Sequence, residues 1–414
     1  MKFCLIILFI SIGFCRNHSC LSEFSDHSMQ RIDRPQRQKE YLSPSGFFMV
    51  HYDTTLCSSC TEAYNFIPSL LDADENLVPD YIENVALAAD HSRSILVDEM
   101  GYNPEVPDSD GIYDIYIYDY DPGEYGWNVT EGNGVSYVRI DKDYDGYELD
   151  PIKIMRLTVG HEYFHAIQRG YRNNFGVDDV YFLEMSSMWF EDIIEPDGND
   201  YLNTAWTNPL FNFPEKDFNA SEKTGYELGL FGHYLSSYLD HNGQDDQKKS
   251  TIIRDIWDRF SLYGNSSKQI KYVLENNYNT PFYRAWNDFM SRNLFNGYSD
   301  DPNFDMYYYP DQALIEPIST STQIITDSFA VNLNYDENSI SIESFSVEDG
   351  ATLFLSDNSP EYIANFVTIS EDEYTIDTWN KQMQRDFPDV DISWIDMIAT
   401  YAYLHPEESR AYAL

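Results

Sequence analysis

Two hydrophobic periods divide this chain. Between Gly46 and Tyr52, and again between Asp110 and Asp121, apolar and polar residues alternate, as in a half-buried strand. The second run sets Ile112, Asp114, Tyr116 and Tyr118 on one side against Tyr113, Ile115, Ile117 and Asp119 on the other. Gly134–Ile140 reads as a further strand, and the turn-rich Tyr120–Gly134 before it as a long loop. Helical spacing governs other stretches. From Pro79 to about Met100 it lines up Ile82, Val85, Ala86, Ala89 and Ile95. Pro151–Gly170 and Val180–Ile194 follow as helices, the first opened by a proline where proline is tolerated. The second carries Leu183, Ser187, Phe190 and Ile194 at helical intervals. Gly225–Leu239, Ser250–Gly264 and Pro281–Phe295 are further helices, the last two clearly amphipathic. From Gln323 on, short alternating runs are punctuated by turn residues. This order predicts an α+β fold: a mixed sheet with helices over 44–300, then a β-sandwich-like accessory domain over 301–414.

Charge narrows the class of partner. The 414 residues hold 70 Asp+Glu against 26 Lys+Arg, a net of -44. Such an excess excludes nonspecific nucleic-acid binding through phosphates and repels anionic membrane surfaces. Aromatic residues make up 16% of the chain, which sets it apart from acidic disordered tails. Lys2 followed by the apolar Phe3–Phe14 reads as a signal peptide over 1–20, too short for a stable membrane span. Residues 21–43 are polar and aperiodic, and read as a leader or short propeptide. No other run is long and apolar enough to cross a membrane. The expected location is outside the cell or on its surface. In that oxidising setting Cys57 and Cys60, a lone C-x-x-C on a loop, are expected to form a small local disulfide.

The candidate chemistry lies in His161-Glu162-Tyr163-Phe164-His165. Histidines four apart on a helix share a face, so two imidazoles can reach one tetrahedral zinc. Glu162, beside the first histidine, can serve a water as general base without ligating metal. Eighteen residues separate His165 from Glu184, which is followed by Ser187. Here the sequence resembles the gluzincin metallopeptidases, with HExxH, an eighteen-residue spacer and a glutamate opening E-x-x-S. The resemblance implies a zincin-like domain and assigns zinc to His161, His165 and Glu184. The stretches Asp72–Tyr81, Asp110–Tyr116 and His161–Gln168, with Glu184, Trp189, Glu191 and Asp192, are similar to a group of secreted bacterial metalloproteases. That similarity spans about Gly46 to Tyr308 and implies an exported endopeptidase acting on peptides or proteins.

One departure from the family concerns the residue that orients a zinc histidine. Thermolysin-like enzymes place an aspartate four residues after the third ligand, where this chain has Met188. Glu191 is the available substitute; it also fits a residue that simply ends a helix. Gluzincins take their oxyanion donor, a Tyr or His, from downstream of the third ligand. Tyr226 and His233 are the candidates, seven apart on one expected helix, and each also fits a packing role. The strand Ser136–Ile140 is expected to be the sheet edge that pairs with an extended substrate.

Two acidic stretches suggest calcium. Asp72, Asp74, Asn76, Asp80 and Glu83 occupy positions 1, 3, 5, 9 and 12 of a calcium loop, with Leu77 where the turn prefers glycine. Helix capping explains the same residues. Asp141, Asp143 and Asp145 begin a second such loop, but Ile152 stands where its bidentate glutamate should be. A second function therefore stays open: a calcium-stabilised surface or adhesion protein whose zincin-like domain is catalytically idle. Zinc hydrolysis of a non-peptide bond is a third.

Overall fold

The computed structural model describes residues 34–57, 65–147, 149–202, 210–214, 216–219, 225–298, 300, 309–316 and 318, and then the strands between 322 and 401. The stretches expected to be a signal segment and, for the most part, a leader lie outside these residues.

The first half is built on a five-stranded mixed sheet. Its strands are β1 (Lys39–Leu42), β2 (Phe48–Tyr52), β3 (Tyr113–Tyr118), β4 (Gly126–Gly132) and β5 (Val135–Asp141), in the spatial order β1-β2-β3-β5-β4. The pairs β2/β3 and β3/β5 are parallel; β1/β2 and β4/β5 are antiparallel. The alternation in β3 works as the pattern requires. Tyr113, Ile115 and Ile117 face the main core. Tyr116 faces the other way, with Val129, Tyr137 and Trp127.

Two expectations change here. Lys39–Leu42 belongs to the sheet, paired with β2, although its polar sequence put it in the leader. It is held by burial of its neighbour: Arg37 is enclosed and pairs with Asp53 at 2.8 Å. The edge beside β5 is also different. Gly126–Gly132, expected as loop, pairs antiparallel with β5 and forms the edge, so Ser136–Ile140 is an inner strand. Asn133 and Gly134 at positive φ make the tight turn between the two.

Helices cover the inner face. They are α1 (Asp80–Arg93), which runs on as a π-helical turn over Ser94–Glu99, α2 (Pro151–Tyr171) and α3 (Val180–Ile194). Asp150 caps α2, accepting from the backbone N–H of Ile152 and Lys153. The expected single helix over Gly225–Leu239 is broken into a 3-10 turn (Tyr226–Leu228), α4 (Gly229–Tyr234) and a π-helical turn (Leu235–Leu239). Then come α5 (Ile252–Tyr263), α6 (Ser266–Asn277) and α7 (Phe282–Asn293); α6 was not legible as an element beforehand. Trp189, Trp257 and Trp286, from α3, α5 and α7, are wholly buried among the helices.

The C-terminal strands are β6 (Thr322–Ile325), β7 (Ile340–Val347), β8 (Ala351–Leu355), β9 (Tyr362–Ser370), β10 (Tyr374–Trp379), β11 (Met383–Phe387) and β12 (Ile392–Tyr401). Five of them form a sheet in the order β10-β9-β12-β7-β6, and β11 pairs with β8 alone. The larger sheet packs against α7 through β9 and β12. Asn365 donates to Ser291 Oγ at 2.8 Å, and Val367 joins the same hydrophobic core as the helices. The whole is a mixed α and β architecture in which sheet and helices share apolar contacts.

Candidate active site

The two motif histidines lie one turn apart on α2. Their rings are 4.9 Å apart and nearly perpendicular. Helix α3 packs against α2 and brings Glu184 between them. Glu184 Oε2 is 3.2 Å from His161 Nε2 and 3.5 Å from His165 Nε2. All three residues are at most 2% exposed.

The other ring nitrogens fix the tautomers. His161 Nδ1 meets Glu191 Oε1 at 2.7 Å, and His165 Nδ1 meets Gln168 Oε1 at 2.8 Å. Both acceptors require a proton on Nδ1, which leaves the Nε2 lone pairs of neutral rings facing a carboxylate oxygen. Three lone-pair donors converging in a buried place repel one another unless a cation, a proton or a metal ion, lies among them. Donors about 2.1 Å from a tetrahedral zinc sit about 3.4 Å from each other, close to the two separations here. The His, His, Glu donor set therefore fits zinc, and three protein ligands leave the fourth coordination position of a tetrahedral ion to another ligand. Without a metal, a proton takes the cation's place. Burial opposes charge on Glu184, but His165 and His161 overcome it and hold the carboxylate at about 2. Burial likewise opposes protonation of His161, and the carboxylates of Glu184 and Glu191 outweigh it, raising its pKa well above the usual value.

Glu162 is 1% exposed and lies under the edge strand. Asn128 of β4 donates Nδ2 to the Glu162 backbone carbonyl at 3.1 Å and accepts from Arg169 Nε at 2.7 Å. A methyl group on Gly126 would stand 2.6 Å from Thr158 Cγ2 and 3.2 Å from Glu162 Cγ. Only glycine lets β4 come this close to the motif helix.

Of the two oxyanion candidates, the structure brings one to the site. The Tyr226 ring stacks 6.1 Å from that of His161. Gly225, at φ +100°, makes the turn that puts it there. The other candidate, His233, is occupied elsewhere. Its Nδ1 meets Gln247 Oε1 at 2.9 Å, its ring lies 4.7 Å from Tyr201, and Nε2 is 3.9 Å from Asp192 Oδ2. Burial depresses its pKa to about 4, so it is a neutral core histidine. The break in the expected helix explains the separation: seven residues no longer span two regular turns.

The acidic loops separate as well. Among the described residues, two groups of metal-ligating side chains converge: His161 with His165 and Glu184, and Asp72 with Asp74 and Asp80. Asn76 Nδ2 bridges Asp74 Oδ2 and Glu83 Oε1, so all five predicted residues share the first loop. Leu77 takes the left-handed φ of 76° that the glycine would have taken. The second loop is not assembled. Asp141 accepts instead from the backbone N–H of Tyr120 and Lys142, and Asp143 from that of Asp145. Cys57 is disulfide-bonded; Cys60 lies outside the described residues.

Sequence reasoning missed Gln168, Asn128 and Gly126. Gln168 had a signal, being three residues after His165 and hence on its face. Asn128 and Gly126 had none, because their stretch read as loop. No family model matches this chain, and no curated protein matches it.

Proposed function

We propose that the protein is an exported zinc-dependent endopeptidase with a zincin-like catalytic half. The observation that carries this reading is the convergence of His161 Nε2, His165 Nε2 and Glu184 Oε2, with both Nδ1 atoms held by acceptors. Zinc held there would supply Lewis acidity to a substrate carbonyl and lower the pKa of a water. Glu162, next to the first ligand and beneath the edge strand, accepts the proton of the attacking water and returns it to the leaving amine. Tyr226 turns its ring beside His161 and donates to the carbonyl oxygen as charge builds on it. Strand β4, nearest Glu162, is an edge of its sheet among the described residues and offers its backbone to an extended peptide. The apolar Phe3–Phe14 and the bonded state of Cys57 support export.

The test joins zinc analysis to cleavage of unfolded casein by wild type and Glu162→Gln. One zinc per chain in both, with activity only in the wild type, is the expected result. Folded protein without zinc would defeat the reading. Zinc without activity in either form would favour an idle metal-binding domain.

A further inference from the structure

A cleft of about 420 Å³ opens where the C-terminal end of α2 meets the turn after β4. Its wall carries two arginines, Arg169 and Arg172, and three asparagines, Asn133, Asn173 and Asn174, with no acidic side chain. In a chain with 70 acidic against 26 basic residues, such a wall runs against composition. The larger cleft, about 530 Å³ near α7, shows the ordinary case, with Asp245 and Asp246 beside Arg292.

We propose that this cleft is a subsite for a carboxylate of the bound peptide. Arg172 is placed to recognise it: Nε donates to Asn174 O at 2.7 Å, and the guanidinium lies 5.3 Å over the Phe260 ring. These contacts fix the plane of the fork, so little freedom is lost when it meets a carboxylate. No carboxylate among the described residues forms an ion pair with Arg172. Arg169, 5% exposed overall, is a second basic residue of the wall with its guanidinium turned to Asn128 of β4; burial lowers its pKa to about 10, which leaves it charged at neutral pH. The asparagine amides add neutral donors. The field of the distant acidic surface is screened within about 8–10 Å at ordinary salt.

The place in the fold links the cleft to the reaction. Arg169 binds Asn128 of β4, and Asn133 follows the last residue of that strand. Strand β4 runs from Gly126 and Asn128, beside Glu162, to Gly132, next to Asn133 at the cleft. A peptide paired with β4 advances residue for residue with it. The carboxylate therefore belongs about six residues from the cleaved bond. This inference rests on the peptidase reading for its geometry, but its test does not.

Binding is measured by calorimetry on zinc-treated Glu162→Gln protein with three peptides of one length. The first has both ends blocked and a glutamate about six residues from its centre. The second has glutamine there and a free C-terminus in place of one block. The third has glutamine and two blocked ends. At least one carboxylate peptide should bind about tenfold or more tighter than the third. Whether it is the first or the second tells a side chain from a chain end. Arg172→Met, which keeps apolar cover on Phe260, should reduce the preference below about twofold. If that variant does not fold, Arg172→Lys carries the test and should cut the preference at least about threefold. Equal binding of all three peptides, or a preference untouched by folded Arg172 variants, would overturn the proposal. A wild type that cleaves no peptide, with the binding preference intact, would leave the cleft standing and remove the peptidase reading alone.

Discussion

At the residue scale, what distinguishes this site is how the ligands are held. Glu191 and Gln168 each take one Nδ1 proton, and they do so with unequal charge. Replacing either should loosen zinc without unfolding the chain. Gln168→Ala and Glu191→Gln are each expected to weaken zinc about tenfold or more in competition against a chelator. Tyr226→Phe removes the hydroxyl of the ring that stacks beside His161. It should lower kcat about 100-fold with KM little changed, as expected of a donor used only in the transition state. Behind α3, Asp192 and His233 form a buried pair of a different kind. Burial, with Asp311, Glu191 and Asp197 nearby, pushes the Asp192 carboxyl up to about 8, while His233 is held at about 4. The two act in opposite directions between pH 4 and 6.5. A raised carboxyl costs stability as pH rises toward its folded pKa, whereas a depressed histidine costs stability as pH falls. From pH 6.5 to 8 the carboxyl acts without the histidine. Asp192→Asn should therefore gain on the wild type by ~2 kcal/mol between those two pH values, read by urea denaturation at each.

At the element scale, two glycines decide how close the elements come. A Cβ on Gly225 would lie 2.2 Å from the Tyr181 carbonyl oxygen, in a backbone already at φ +100°. Gly225→Ala should cost more than ~2 kcal/mol and pull Tyr226 off the site, seen as a lower urea midpoint and a lower kcat together. Gly126→Ala meets side chains of α2 and a carbonyl of β5. Edge strands move more readily than helices, so the strand is expected to lift. Activity should then fall much further than stability, which circular dichroism and peptide assays on one preparation would separate. The elements were legible to different degrees. Helices α2 and α3 follow from dense apolar spacing, and α3 begins and ends where its pattern does. Strand β4 was hidden, because Gly126, Asn128, Gly132 and the following Asn133–Gly134 are turn residues by composition. Its pairing with β5 is set by a neighbouring strand and not by its own propensity.

For the whole molecule, the sheet of the C-terminal region and the helices of the first half share a core through α7. A core that runs from Trp286 to Val367 couples the two parts. Val367→Ala should thus cost ~1–3 kcal/mol and lower the melting of the helical half with it, followed by tryptophan fluorescence. Net charge acts on this same scale. With -44 spread over the molecule, self-repulsion opposes the compact state, and added salt should raise Tm until screening is complete.

By itself, the sequence determined the local parts of this protein: helical spacing put His161 and His165 on one face, alternation oriented β3, and composition set the charge. These depend on neighbours within one or two turns. Glu184 at eighteen residues and Glu191 were legible only through resemblance to a family. Tertiary structure alone decided the rest. It chose Tyr226 over His233, moved the sheet edge to β4, drew Arg37 and β1 into the fold, and gathered two arginines at one cleft. Each of those outcomes depends on which distant backbone fills the space beside a residue, and no periodicity within a segment records it.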